Sequence, residues 1–243
     1  MKDAIITAIG TMAPGEYNKV EVDGAGKCTG PFYAHSMEIN GAMKAQGAVR
    51  CDEGEINGAF SCVDRLDAGE LEVDGTAKVQ GSAGVEKLEV DGIFTVDEDL
   101  ETTSVRCDGV INAGGKVTAD TMEVDGTLKC TDISASRVEV DGVIKVEGQV
   151  SADKVLVDGI INAGEVVGDE VVIESSDNHP ASQVGLVEAT TITLQGVKAD
   201  TVNGTHITIG PACVIGSVDC NGVLNIHPHA QVGSVTGEYT PGE

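Results

Sequence analysis

Apolar residues along this chain fall in short alternating pairs, and the pairs return at a fixed step. The pentapeptide LEVDG fills residues 71–75 and again 88–92, with close variants at 20–24 (VEVDG), 122–126 (MEVDG), 138–142 (VEVDG) and 155–159 (VLVDG). Aligned on the motif's last residue, the anchors are Gly24, Gly41, Gly58, Gly75, Gly92, Gly109, Gly126, Gly142 and Gly159. The step between anchors is the same throughout, except that the one after Gly126 is shorter by a single residue. A step held this constant marks one supersecondary unit stacked on itself.

Within a unit, apolar residues stand four and two positions before the glycine, two and four after it, and eight and ten after it. Each pair alternates like a strand with one buried face. Around Gly92 the six are Leu88, Val90, Phe94, Val96, Leu100 and Thr102; around Gly142 they are Val138, Val140, Ile144, Val146, Val150 and Ala152. Three short strands per unit are predicted, joined by three corners. Asp-Gly or Asn-Gly at the first corner suits a tight turn with positive φ, and Gly47, Gly81, Gly115 and Gly148 mark the second.

One coil alone buries too little apolar surface to offset the entropy of ordering it. Each coil therefore needs neighbours, its strands pairing with their equivalents at about 4.8 Å. The predicted fold class is all-β: a single-chain triangular β-solenoid, or β-helix, of about 12 coils of about 17 residues. In the shortened unit, Ile133 and Ala135 sit seven and nine after the glycine. The missing residue thus falls in the second corner, beside Thr131 and Asp132, and strand phase survives.

The regular repeat is expected over 20–173. Residues 1–19 read as an N-terminal segment or cap, and 174–183 (ESSDNHPASQ) as an extruded loop without apolar alternation. Coils resume over 184–236, through Ile192, Leu194 and Gly196, at a spacing slightly longer than that of the regular repeat, and 237–243 form a tail.

Composition narrows the function. Apolar residues make up 41% of the chain but aromatics only 2%, which fits thin layers of aliphatic side chains. The formal net charge of −25 repels phosphate backbones and anionic head groups, so nucleic acid is not an expected partner. Without a long apolar run or a secretory signal, the reading is cytoplasmic. The cysteines (Cys28, Cys51, Cys62, Cys107, Cys130, Cys213, Cys220) are scattered without a CxxC pair, as expected of reduced, mostly buried thiols, and Cys28, Cys51, Cys62, Cys107 and Cys130 fall on inward positions.

Over about residues 15–235 the chain resembles the bactofilins, the polymer-forming cytoskeletal proteins of bacteria. The V-x-V-D-G cadence carries the resemblance, with GEYNKVEVDGAGK at 15–27 and ITIGPACVIGSVDCNGVLNIHPHAQVGSV at 207–235. It implies a right-handed triangular β-helix joined end to end into filaments without nucleotide, a homopolymer acting as an intracellular scaffold for other proteins. The flanking Pro-rich or charged tails usual in that family have no counterpart here. MKDAIITAIG does not match the membrane-targeting segment of some members, which argues against membrane contact.

The search for chemistry yields no catalytic residue and no cofactor. The corner column Asp23, Asn40, Asn57, Asp74, Asp91, Asp108, Asp125, Asp141 and Asp158 is expected to cap its own turns; the GGxGxDxUx pattern of calcium-binding rolls is absent. Glu21, Glu38, Glu55, Glu72, Glu89, Glu123 and Glu139, with Lys27, Lys44, Lys78, Lys129 and Lys145 across the same corner, read as a partly compensated solvated face. Regular convex columns offer no cleft for paired-carboxylate hydrolysis. The alternative is a β-helical binding module or a hexapeptide-type metal enzyme resembling carbonic anhydrase, using His206, His227 and His229. The favoured reading is a structural protein assembling through its terminal coils. Candidate contacts are Ile5, Ile6 and Ile9 at one end and Val232, Val235 and Tyr239 at the other. From net charge alone, side-by-side bundling should strengthen as salt screens repulsion.

Overall fold

The computed structural model describes residues 1–175 and 181–242. These residues form strands and no helix, and the described pairings are parallel. The fold is a β-solenoid of about 14 turns at about 17 residues per turn. It has more turns than the sequence pattern predicts because both ends of the chain are drawn into the stack. Lys2–Ile6 and Ile9–Met12 pair with Gly15–Val22 and Ala25–Cys28, and Gln231–Thr236 and Thr240–Pro241 pair with Val214–Ile226. The chain divides into two compact units, Met1–Asp120 with Gly126–Leu128, and Thr121–Asp125 with residues from Lys129 onward.

In the first unit a regular coil contains one eight-residue and one four-residue strand, for example Ala83–Val90 and Ile93–Val96. Ala83 and Val85 face inward, Glu86 and Lys87 both face out, and Leu88 and Val90 face inward again. Two of the three expected strands are therefore one strand with a bend. Two successive outward residues turn the chain while its pairing with Leu66–Val73 runs through, from Ala83 opposite Leu66 to Val90 opposite Val73.

Inward positions stack into columns that trade volume between neighbours. Two residues after each motif glycine, the column runs Gly26, Met43, Phe60, Ala77, Phe94, Ile111, so that Ala77 separates two phenylalanine rings. Gly54 lies in another inward column, where a Cβ would stand 2.8 Å from Leu71 Cδ1. The large neighbour has taken the space.

The motif glycines correct one expectation. Positive φ occurs among the described glycines only at Gly15, Gly196 and Gly237. Close stacking is what demands glycine at the corner: a Cβ on Gly75 would lie 2.0 Å from the carbonyl oxygen of Gly58, one coil earlier. That oxygen already accepts from Thr76 N at 2.8 Å, while the Asp74 and Gly75 amides both donate to Ile56 O. The same clash, at 1.9 to 2.2 Å, would meet a Cβ at Gly24, Gly41, Gly58, Gly92, Gly109, Gly126 and Gly159.

In the second unit the steps shorten. Ser182–Gln195 pairs with Val197–Ile209 at a step two residues shorter than the regular one, Ser182 opposite Val197 and Thr191 opposite His206. The inward pairs are Ser182 and Val184, Val187 and Ala189, Ile192 and Leu194, with two residues between successive pairs. The next step begins one residue longer, with Lys198 opposite Val214. It gains one more across an irregularity, where His206 comes opposite Val223. The lengthened spacing expected here is thus replaced by a shorter one, because corners lose residues while strands do not. Part of the expected loop at 174–183 is strand: Glu174 ends Ile160–Glu174 and Ser182 begins the next. Residues 176–180 lie outside the described residues. Ser182 is fully buried, and its Oγ accepts a hydrogen bond from Ile161 N at 3.1 Å.

Candidate functional site

Over Asp23, Asn40 and Asn57 the corner column is a ladder between coils instead of a set of local caps. Asn57 Nδ2 donates to Asn40 Oδ1 at 2.9 Å and to Glu55 Oε1 at 2.7 Å; Asn40 Nδ2 donates to Asp23 Oδ1 and Glu38 Oε1, both at 3.0 Å. The amide supplies donors that a carboxylate lacks, which explains how these acids stack at coil spacing. Lys19 bridges Glu21 and Glu38 at 2.7 and 3.0 Å, and its ammonium with Asn40 holds Glu38 below the usual carboxylate range. From Asp74 the amides stop. Glu72 is pushed up by partial loss of solvent and then by Asp74, Glu55, Glu89 and Asp91. In the second unit, Glu123, Asp125, Glu139, Asp141, Asp158 and Glu174 line an open groove of about 340 Å³. Among the described residues no group of three or more His, Cys, Asp or Glu is arranged to hold a metal ion.

Across the corner the surface changes character. In the first unit the outward positions one and three residues after the glycine form two columns, Ala25, Ala42, Ala59, Thr76, Ile93, Val110 and Lys27, Lys44, Ser61, Lys78, Thr95, Asn112. Ile9 and Thr11 extend them by one row. None of these positions is acidic, in a protein of net charge −25. Among the five lysines expected to compensate the glutamates, only Lys78 forms an ion pair among the described residues, and it pairs with Asp97 at 3.3 Å. The lysines stand on a face of their own. Reading outward positions for the absence of acid would have revealed this surface in the sequence.

The histidines do not converge. His227 and His229 meet edge to face with ring centroids 5.1 Å apart, and His229 N donates to His227 Nδ1 at 3.1 Å. His206 projects from a neighbouring strand opposite Val223. A different histidine has the polar company: Asp52 Oδ2 lies 2.7 Å from both Tyr33 Oη and His35 Nδ1, which hold its carboxyl low. Of this exposed trio, Asp52 lines an open groove of about 680 Å³ together with Arg50, Arg65, Asp67, Gly69 and Thr102, among others. The sequence reading missed it because its members come from two coils.

All seven cysteines are buried and unpaired. Burial, with the Asp52 and Asp132 charges adding to it, pushes Cys51 and Cys130 up to about 12. Cys28 Sγ donates to Gly30 O at 3.2 Å, and Cys62 Sγ reaches Asp64 O at 3.2 Å and Gly47 O at 3.3 Å. These thiols serve second-corner carbonyls. Burial disfavours the thiolate at Cys51, Cys62, Cys130 and Cys213.

At the ends the columns stop uncovered. Ile6, opposite Val22, continues an inward column but is only half-buried, while Ile5 and Ile9 are 60% and 92% exposed on outward columns, opposite Glu21 and Ala25. In the last coil Val232 and Val235 stand opposite buried Ile215 and Val218 and are themselves half-buried. Beside them Ile209, Leu224, Ile226, Tyr239 and Pro241 line an apolar groove of about 590 Å³. No protein-family model, no curated protein and no solved structure matches the chain.

Proposed function

We propose that this chain is a non-enzymatic structural protein, a scaffold of the kind the bactofilin resemblance implies, whose terminal coils join copies end to end into filaments without nucleotide. The observation that carries this reading is the pair of unfinished columns. At one end Ile6 lacks the next layer that its equivalents have, and at the other Val232 and Val235 do. A coil from a second copy would bury these side chains and pair the outer strand edges, as each internal coil does for its neighbour. A cytoplasmic setting suits seven buried, unpaired thiols, because a reducing compartment keeps them so.

Negative-stain microscopy and sedimentation of the purified chain test the reading. Filaments are expected without added nucleotide, and Val235→Lys, which puts a charge into the joining layer, should abolish them while circular dichroism stays unchanged. A wild-type protein that remains single at high concentration would refute end-to-end assembly.

A further inference from the structure

The acid-free face of the first unit has a matching surface on the same molecule. Lys27 and Lys44 stand on adjacent coils, and Lys78 two coils beyond Lys44, so their spacings are about 4.8 Å and about 9.6 Å. Glu55, Glu72 and Glu89 stand on three successive coils at the same rise. Two stacks with one shared rise stay in phase along their whole contact, whichever coil faces which. Lys27 and Lys44 form no ion pair within the described chain.

We propose that this face is a lateral docking surface for a second copy of the chain, its lysine column lying along the acidic corner column of that copy. The apolar column beside the lysines, with Ile93 44% exposed, supplies surface to bury between the two. A partner built on another period could oppose one or two of the lysines, but only a stack of equal rise opposes them all. The raised Glu72 fits the same picture, since carboxylates stacked on carboxylates gain most from a cation brought between them. Net charge alone predicts side association that strengthens with salt. Segregated faces predict the reverse where their close lysine–carboxylate contacts outweigh the diffuse repulsion, because salt then screens a net attraction.

The test is a complementation in the full chain carrying Val235→Lys, so that end contacts are blocked and any association is lateral. One variant reverses the basic face (Lys27→Glu, Lys44→Glu, Lys78→Glu) and the other the acidic column (Glu55→Lys, Glu72→Lys, Glu89→Lys). Each alone should associate roughly tenfold or more weakly than the parent in sedimentation equilibrium at low salt. Mixing the two should restore the parent's association, since each supplies the face the other needs. Parent association should also fall between about 0.01 M and about 1 M salt. Circular dichroism of each variant guards against misfolding, and the salt response of the parent needs no variant of the two faces. A parent that stays single at low salt, variants that associate as it does, or folded variants whose mixture fails to recover, would each overturn the pairing. The first outcome would leave the face to an acidic partner of another kind. Absence of filaments from the unsubstituted chain, with lateral pairing intact in the Val235→Lys chain, would count against the end-to-end reading alone.

Discussion

The regular coils around Gly75 and Gly92 and the shorter coil from Ser182 to Gly196 bury inward pairs of the same form, yet they turn their corners differently. The longer coils place three residues in each of two corners and two in the third; the shorter one places two in each. Inward pairs are fixed because columns must continue, so coil length is decided entirely at the corners. The three-residue first corner also presses each glycine against the carbonyl of the one before it. The equivalent two-residue corner of the short coil, between Leu194 and Val197, is Gln195 and Gly196, and its glycine takes a positive φ of 64°.

The largest effect expected from this contrast comes from moving a deletion. Removing Lys78 from the strand Thr76–Val79 inverts every later side chain of that strand and should cost more than about 5 kcal/mol. Removing Gln80 from the second corner should cost only about 2 kcal/mol, since the chain already closes a two-residue second corner at Thr131 and Asp132. Equilibrium denaturation of both proteins measures the difference, and similar losses would disprove corner control of coil length.

Next comes the glycine ladder. Gly75→Ala should destabilise by about 3 kcal/mol or more, because the obstructing atom is backbone. Gly15→Ala should cost only about 1 kcal/mol: its φ is 147°, but nothing lies within 4 Å of the added Cβ. Thr191→Ala, in the short coil's third corner, should stay within about 0.5 kcal/mol. Thermal melts rank the three.

Smaller again is the amide ladder. Asn57→Ala should lose about 1 kcal/mol, the net worth of its two side-chain hydrogen bonds in an exposed setting. The smallest effect is on pH dependence. Glu72 binds its proton more tightly folded than unfolded, so its contribution is retained in acid and lost as pH rises from the ordinary 4.5 through the raised folded value. Melting temperature followed across that window should fall less in Glu72→Gln than in the parent; parallel curves would rule out the strain.

The sequence displayed most of this fold because its period is written in glycine and valine at every turn. Strand phase, the harmless deletion at Thr131 and Asp132, and the inward burial of Cys28, Cys51, Cys62, Cys107 and Cys130 could be read directly. The reason for the motif glycine could not. Asp-Gly is also turn chemistry, and only the neighbouring coil reveals that Gly58 O occupies the place of a Gly75 Cβ. The role of Asn40 and Asn57 was hidden for the same reason: their partners lie a full coil away and are invisible to local pattern. The C-terminal coils were misjudged because Ser182 takes a core position that alternation of apolar residues does not flag. The acid-free face escaped because net charge averages over surfaces that the coil keeps apart.

Parallel stacking has a consequence for how the chain is made. The partners of almost every strand lie one turn away, Leu66 with Ala83 and Ala83 with Leu100, so contacts remain short-range in sequence although they are all β. Such locality lowers the loop-closure entropy of each pairing relative to the longer-range pairings of sandwiches and barrels. As a ribosome releases the polypeptide, each newly emerged turn finds a finished template waiting, and the molecule can be laid down in the order of its synthesis.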